Sequence, residues 1–516
     1  MGQSRMLCLA SVSRVSAAKT AAGRSDLKRA SVTVYFSLIL ILMVSLIMWS
    51  ITSVKVSAGR MQAANSVDQA MFSLFARFDR QLMKEYDLYF LDAGQNGNDA
   101  DIGACVSMLE DAMEYILHPN KGFSLFGSKN LLNLRREGTV VTDLTMATDA
   151  GGIPFEAEAV RAMKDAPVTS IINTLFEREN TRQMVENSGT GLLDQAGSQD
   201  YGAVEQESAQ VIEEREEAIE NGEPVDEYYI PENFINPIPV LFDLYFTAVM
   251  DLVVPDPYSI SERWVDPNSL VSHRNLSAGI GVIDATGSAS WFDQISYVAW
   301  MMAHFGNYLH PDQQCALAYQ QEYLLEGRDS DRDNLKHIIN KLMLLRQAVN
   351  ILCLYTDSIK VGELSSLSGI ISCLLFVPWL EPAIQGTLSF LWAYAESIVD
   401  VRALLQGKKV ALVKTSMTWQ TDPEDIARAG LWMGNLELDA PDGMNYEQYL
   451  ASMLLLVNRK DLTPRAMDLV ESHIRKTGRP DFRLDSCIYA LGVDVTIRSE
   501  GRVTFPVHKE LSYGDL

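Results

Sequence analysis

A chain of 516 residues with 47% hydrophobic and 21% charged side chains has the make-up of a folded body of one large or two ordinary domains, which excludes a wholly disordered protein. Its formal charge of −24 argues against a nucleic-acid partner, which would call for Lys and Arg clusters that do not occur here. Six cysteines at long spacings, none in a CxxC pair, give neither a disulfide framework nor a zinc motif; Cys353 and Cys373, in apolar runs, are expected to be buried thiols.

Residues 1–29 carry six basic side chains against the single Asp26, a net charge of +5 that leaves −29 on the remainder. Ala30 to Val54 follows, 25 residues without a charge between Arg29 and Lys55. A helix rises about 1.5 Å per residue and a hydrocarbon core is about 30 Å thick, so roughly 20 such residues cross it. Tyr35 and Trp49 stand towards the two ends, where amphipathic rings favour the headgroup region, and with Ser31 they mark the expected membrane anchor. The basic flank predicts a cytoplasmic tail, a lipid bilayer as partner, and an extracytoplasmic body in a single-pass arrangement. Val56-Ser57-Ala58 offers small residues for a signal peptidase, but the apolar run exceeds the usual h-region of about 7–15 residues, so an uncleaved anchor is preferred.

Beyond the anchor, Val67, Met71, Leu74, Phe78, Leu82 and Tyr86 recur at steps of three and four, which predicts a helical continuation within residues 55–92. Residues 93–187 make up the first part of the body. Asp92 to Asp101 reads as a solvated turn rather than a calcium loop, Cys105 to His118 as a helix and Gly138 to Thr145 as a strand. After a turn at Gly151-Gly152, Pro154 to Lys164 and Ser170 to Glu186 read as helices. Residues 188–232, rich in Glu with few apolar anchors, predict an acidic linker or solvated helix.

The main helical part spans residues 233–516. Asn236 to Pro255 predicts a helix whose Asp243 and Asp251 speak against a second span. Asp329-Ser330-Asp331-Arg332-Asp333 lacks the Gly and Glu of a calcium loop and predicts an N-cap, Ser330 with Asp333. Gly369 to Ala395, cut by Pro378 and Pro382 around Glu381, predicts two buried helices joined by a turn. Glu396 and Asp400 lie four apart on one helical face, and Arg346 in the apolar helix Leu342 to Leu354 is the expected partner in a structural ion pair. Gly407 to Thr415 reads as a strand; Pro423 to Gly430, Tyr446 to Val457 and Pro464 to Lys476 read as helices. Val493, Val495 and Ile497, then Val503, Phe505 and Val507, predict a C-terminal β-hairpin. The fold class expected is α+β, mostly helical.

Ala30 to Leu38, a small residue before an apolar helix, resembles the start of TadE/TadG-type pilin-like proteins, although the fifth position from Ser31 is Tyr35 where that group has Glu. Glu85 to Asp92, Asn236 to Pro239, Ser272-His273-Arg274, Glu322 to Leu325 and Trp392 to Glu396 resemble an uncharacterised family of clostridial membrane-anchored proteins that often accompany Tad pilus systems. The resemblance implies other Tad-type or pilin-like membrane proteins as partners and an accessory, non-catalytic role. No HExxH, GxSxG, Walker A or GxGxxG run occurs, and His304 and His310 lack carboxylate company in the sequence. No catalytic, cofactor-binding or metal-ligating residue, and no small-molecule ligand, is assigned. The alternatives are a membrane-tethered enzyme or ligand-binding receptor, or a structural envelope protein.

Overall fold

The computed structural model describes residues 23–94, 100–118, 132–165, 234–281, 290–375, 378–429, 440, 443–499 and 503–515. The expected acidic linker at 188–232, the helix at 170–186 and most of the basic tail lie outside them. The fold is α+β and mostly helical, and the chain divides into two compact units.

The first unit comprises residues 1–73, 107–140 and 493–509. It holds most of helix α1 (Gly23–Phe75), a single helix of 53 residues because nothing between Gly23 and Phe75 breaks it: no Pro occurs and Gly59 is tolerated. Every residue from Val32 to Lys55 on α1 is exposed, with Trp49 at 74% and Leu40 at 65%. From Gly59 onwards the helix gains a buried face of Ala63, Ser66, Val67, Ala70 and Met71. The absent side chain at Gly59 has a use, since a Cβ there would stand 2.9 Å from the Phe505 ring. Leu109 and Met113 of α3 (Ile102–Leu117), Leu134 of β2 (Leu134–Met146) and Val493, Val495 and Ile497 of β3 (Cys487–Ser499) are also buried in this unit. Lys509 of β4 (Thr504–Ser512) pairs with Asp68 of α1 at 3.0 Å.

The second unit comprises residues 74–106, 141–492 and 510–516. Here the predicted continuation of α1 is corrected. The helix ends at Phe75, and a separate α2 (Arg80–Tyr86) starts at Asp79, whose Oδ1 accepts from the amides of Gln81 and Leu82. Neither Gly nor Pro marks the break. Asp79 is drawn out of the helical path because its amide bonds the Phe90 carbonyl at 2.8 Å and its carboxylate pairs with Arg479. The short β1 (Leu91–Asp92) follows and pairs antiparallel with β3, Leu91 opposite Ile488 and Asp92 opposite Cys487. In the four-stranded sheet β3 is central to the order β1-β3-β2 and also pairs β4, which gives the expected hairpin.

The helices of this unit bury one large apolar core. It is built from α4 (Asp149–Asp165), α7 (Trp291–His304), α8 (Gln320–Glu326), α9 (Asp331–Thr356), α11 (Glu381–Leu405), α13 (Tyr446–Leu454) and α14 (Arg459–Lys476), with Trp300 and Tyr297 fully enclosed. The Trp300 ring nitrogen donates to the Tyr86 carbonyl, so the polar end of this large side chain is satisfied. A smaller core around Trp392 and Trp419 involves α5 (Ile238–Phe246), α10 (Ser358–Leu374) and α12 (Pro423–Ala429).

Three further expectations are revised. The helix predicted over 236–255 is two, α5 and α6 (Val249–Val253), with Thr247 and Ala248 extended between them. Residues 407–415 form no strand: Val410 makes one isolated bridge to Met444, while the Leu412 and Lys414 carbonyls accept from the side chains of Arg346 and Cys353. Cys373 is half-buried rather than enclosed, whereas Cys105, Cys315, Cys353 and Cys487 are buried and unbridged. Ser330 caps α9 as its sequence suggests, accepting from the Asp333 amide. Two helices, α10 and α11, do flank Glu381 as expected, but they are not buried there: Leu374, Leu375, Trp379 and Leu380 are exposed, and the buried residues of α11 begin at Leu388.

Candidate functional site

Among the described residues two helices are long and apolar enough to cross a membrane, α1 and α9. They differ in what surrounds them. Among the described residues nothing buries the apolar stretch of α1, and Tyr35 and Trp49 project from it at 63% and 74% exposure, whereas α9 is a core helix that buries Leu335, Ile338, Ile339, Leu342 and Arg346. A bare apolar surface of this length is stable only against another apolar phase.

The three charged residues singled out in the sequence meet in the interior. Arg346 of α9 donates from Nε to Asp400 Oδ2 at 3.0 Å, and its Nη2 stands 3.0 Å from the same oxygen. Nη1 donates to the Leu412 carbonyl and the Tyr449 hydroxyl at 3.0 and 3.1 Å. The sequence did not single out Lys414, whose ammonium lies 2.6 Å from Asp400 Oδ1 and pairs with Glu396 Oε1. Glu396 also accepts from the Gln420 and Thr421 amides and the Thr421 hydroxyl, so the two carboxylates share Lys414 but are otherwise held by different neighbours. Two cations thus balance two carboxylates with all four side chains at most 3% exposed. Burial pushes the Asp400 carboxyl up, but Arg346 and Lys414 outweigh it and hold the group below its ordinary value. Buried and charge-balanced, the cluster fixes the approach of α9, α11 and the 410–421 segment.

A second polar cluster escaped the sequence reading. Asp312 and Cys315 lie on the loop before α8, and His473 comes from α14, 158 residues further on. Asp312 Oδ1 accepts from the amides of Gln314 and Cys315, which leaves Oδ2 free to meet Cys315 Sγ at 3.0 Å. Cys315 Sγ stands 2.5 Å from His473 Nδ1, and Glu85 Oε2 of α2 stands 2.7 Å from His473 Nε2. Arg263 braces the loop by donating to the carbonyls of Asp312, Gln313 and Cys315. Asp312-x-x-Cys315 is visible in the sequence, but a carboxylate and a thiol three apart are too common to single out, and only packing supplies the histidine.

Two other expectations change here. His304 and His310 do have carboxylates nearby, Asp87 at 3.4 Å and Glu447 at 3.6 Å, each from a remote stretch. Asp92 and Asp101, expected in a solvated turn, have structural partners: Asp92 pairs with Arg479, and Asp101 accepts from the Ala104 amide at the start of α3.

The chain belongs to a family of unknown function (DUF5702), whose model matches residues 229–499. No curated protein and no solved structure matches the chain. The matched span contains Arg346, Glu396, Asp400 and Lys414 as well as Asp312, Cys315 and His473, whereas α1 and Glu85 lie outside it.

Proposed function

We propose that this protein is a single-pass membrane protein, its basic N-terminal tail cytoplasmic and its acidic body extracytoplasmic, serving as a non-catalytic accessory component of a Tad-type surface apparatus. The observation that carries the anchoring is the unbroken apolar surface of α1 from Val32 to Val54, exposed on every side and preceded by a net charge of +5. Support for the apparatus comes from the pilin-like start at Ala30 to Leu38 and from the build of α1, bare and apolar in its first half and carrying a buried face from Gly59. A helix of that kind meets neighbouring helices within the bilayer, so its contacts with pilin-like partners are expected along Val32 to Val54.

Two measurements test this. The chain should stay in the membrane pellet after alkaline carbonate washing, and a protease added on the outer side of the cell membrane should degrade the body while a tag at the N-terminus is protected. Release by carbonate, or the opposite protection, overturns the anchoring. For the apparatus, photo-crosslinkers placed in α1 should capture pilin-like or platform membrane proteins, and deletion should reduce surface pilus assembly; intact pili together with no such capture would sink the accessory role.

A further inference from the structure

Cys315 Sγ, Asp312 Oδ2 and His473 Nδ1 lie within 4.8 Å of one another, with Cys315 1% and His473 7% exposed. Three atoms of the kinds that ligate metal ions, a thiol sulfur, an imidazole nitrogen and a carboxylate oxygen, converge here. Glu85 Oε2 stands 2.7 Å from Nε2, so the carboxylate lies behind the ring and Nδ1 is the nitrogen that faces the thiol. This is the arrangement that orients a metal-ligating histidine, one nitrogen on the ion and the other facing a carboxylate.

We infer that Asp312, Cys315 and His473 form a binding site for a divalent transition-metal ion of borderline softness, zinc above all, with Glu85 as the carboxylate behind the histidine. One sulfur, one nitrogen and one oxygen suit zinc, and three protein ligands leave a fourth position for water. A tetrahedral ion holds such donors about 3.5 Å apart, so Cys315 opens by roughly 0.5 Å from Asp312 and about 1 Å from His473 on loading. A nucleophilic Cys-His pair is the rival use of these residues, and the surroundings oppose it. Cys315 is 1% exposed and its sulfur faces the Asp312 carboxylate, so a substrate has no access to it and a negative neighbour opposes a free thiolate, whereas a cation is attracted by both groups. The Arg263 bracing keeps the loop in place whether or not an ion is bound. The site is independent of the membrane role proposed above.

The test uses the full chain in detergent, stripped with a chelator and then given Zn²⁺ alone or Co²⁺ alone. Elemental analysis after gel filtration should find one zinc per chain, and cobalt should produce a thiolate-to-metal charge-transfer band. Cys315→Ser should abolish the band, His473→Gln should weaken zinc binding beyond the effect of Glu85→Gln, and Glu85→Gln should weaken it about 10- to 100-fold while retaining the band. Cys353→Ser, at a buried thiol elsewhere, should leave both readouts unchanged. Should Cys315→Ser fail to fold by circular dichroism, Asp312→Asn serves in its place, since it keeps the backbone-bonding oxygen and removes one ligand atom. Absence of the cobalt band in folded wild-type protein, or its persistence in folded Cys315→Ser, overturns the site, as would zinc affinity unchanged in Asp312→Asn.

Discussion

Replacing Glu322 by Gln should flatten the pH dependence of stability by about 3 kcal/mol between roughly pH 5 and pH 8. Glu322 lies on α8, fully buried, with Oε1 accepting from the Tyr446 hydroxyl at 2.6 Å and the Tyr308 amide at 2.8 Å. Its Oε2 has no hydrogen-bond partner, which suits a protonated oxygen better than half of a carboxylate. Burial pushes the group up to about 7 from 4.5, more than the two donors at Oε1 pull it down. Below about pH 4.5 the carboxyl is neutral in both the folded and unfolded chains and its full contribution to stability is present. As the pH rises towards 7 only the unfolded chain ionises, so stability falls by about 1.4 kcal/mol per unit, and above 7 the loss is complete. Gln keeps the carbonyl that Tyr446 and Tyr308 use and cannot ionise. Urea unfolding of wild type and variant at both pH values supplies the difference, in which every other titrating group cancels. A Glu322→Gln variant that loses stability with pH as steeply as wild type would refute the assignment.

Arg346→Met leaves the Leu412 carbonyl and Tyr449 hydroxyl without this donor and Asp400 with Lys414 as its one cation beside the Asn350 amide, and should destabilise by about 3–5 kcal/mol in urea titrations. Burial pushes Asp400 up and Arg346 is the first of the groups that hold it down, so the carboxyl rises in the variant; the Arg346→Met penalty should therefore be largest near about pH 8 and shrink as falling pH protonates Asp400 in the variant before wild type. Ile41→Arg puts a charge in the middle of the exposed apolar stretch, at about 2.5–3.5 kcal/mol, and should shift protein from the carbonate-resistant pellet to the supernatant. At Gly152, φ is +91° and a Cβ would stand 2.7 Å from Thr463 Cγ2, so Gly152→Ala should lower stability by about 1–3 kcal/mol, visible as a lower melting temperature.

The sequence by itself determined the features that depend on local order: the 25-residue uncharged run, the Ser330 cap, the alternation of Val493, Val495 and Ile497, and the spacing that puts Glu396 and Asp400 on one face. Periodicity and capping are read over a few residues, so they survive without a tertiary context. What only the tertiary structure decided are events set by distant partners. Arg479 and Phe90 hold Asp79 out of the helical path, so the first helix ends at Phe75 with no Gly or Pro to announce it, and the carbonyls of 412 and 414 serve buried side chains instead of a strand ladder. Lys414 and His473 complete their clusters from more than 10 and more than 150 residues away, and chain separation of that size carries no pattern a single sequence can display. The burial that lifts Glu322 to about 7 is likewise a property of several segments packed together, because desolvation depends on what surrounds a carboxyl and not on which residues adjoin it in the chain.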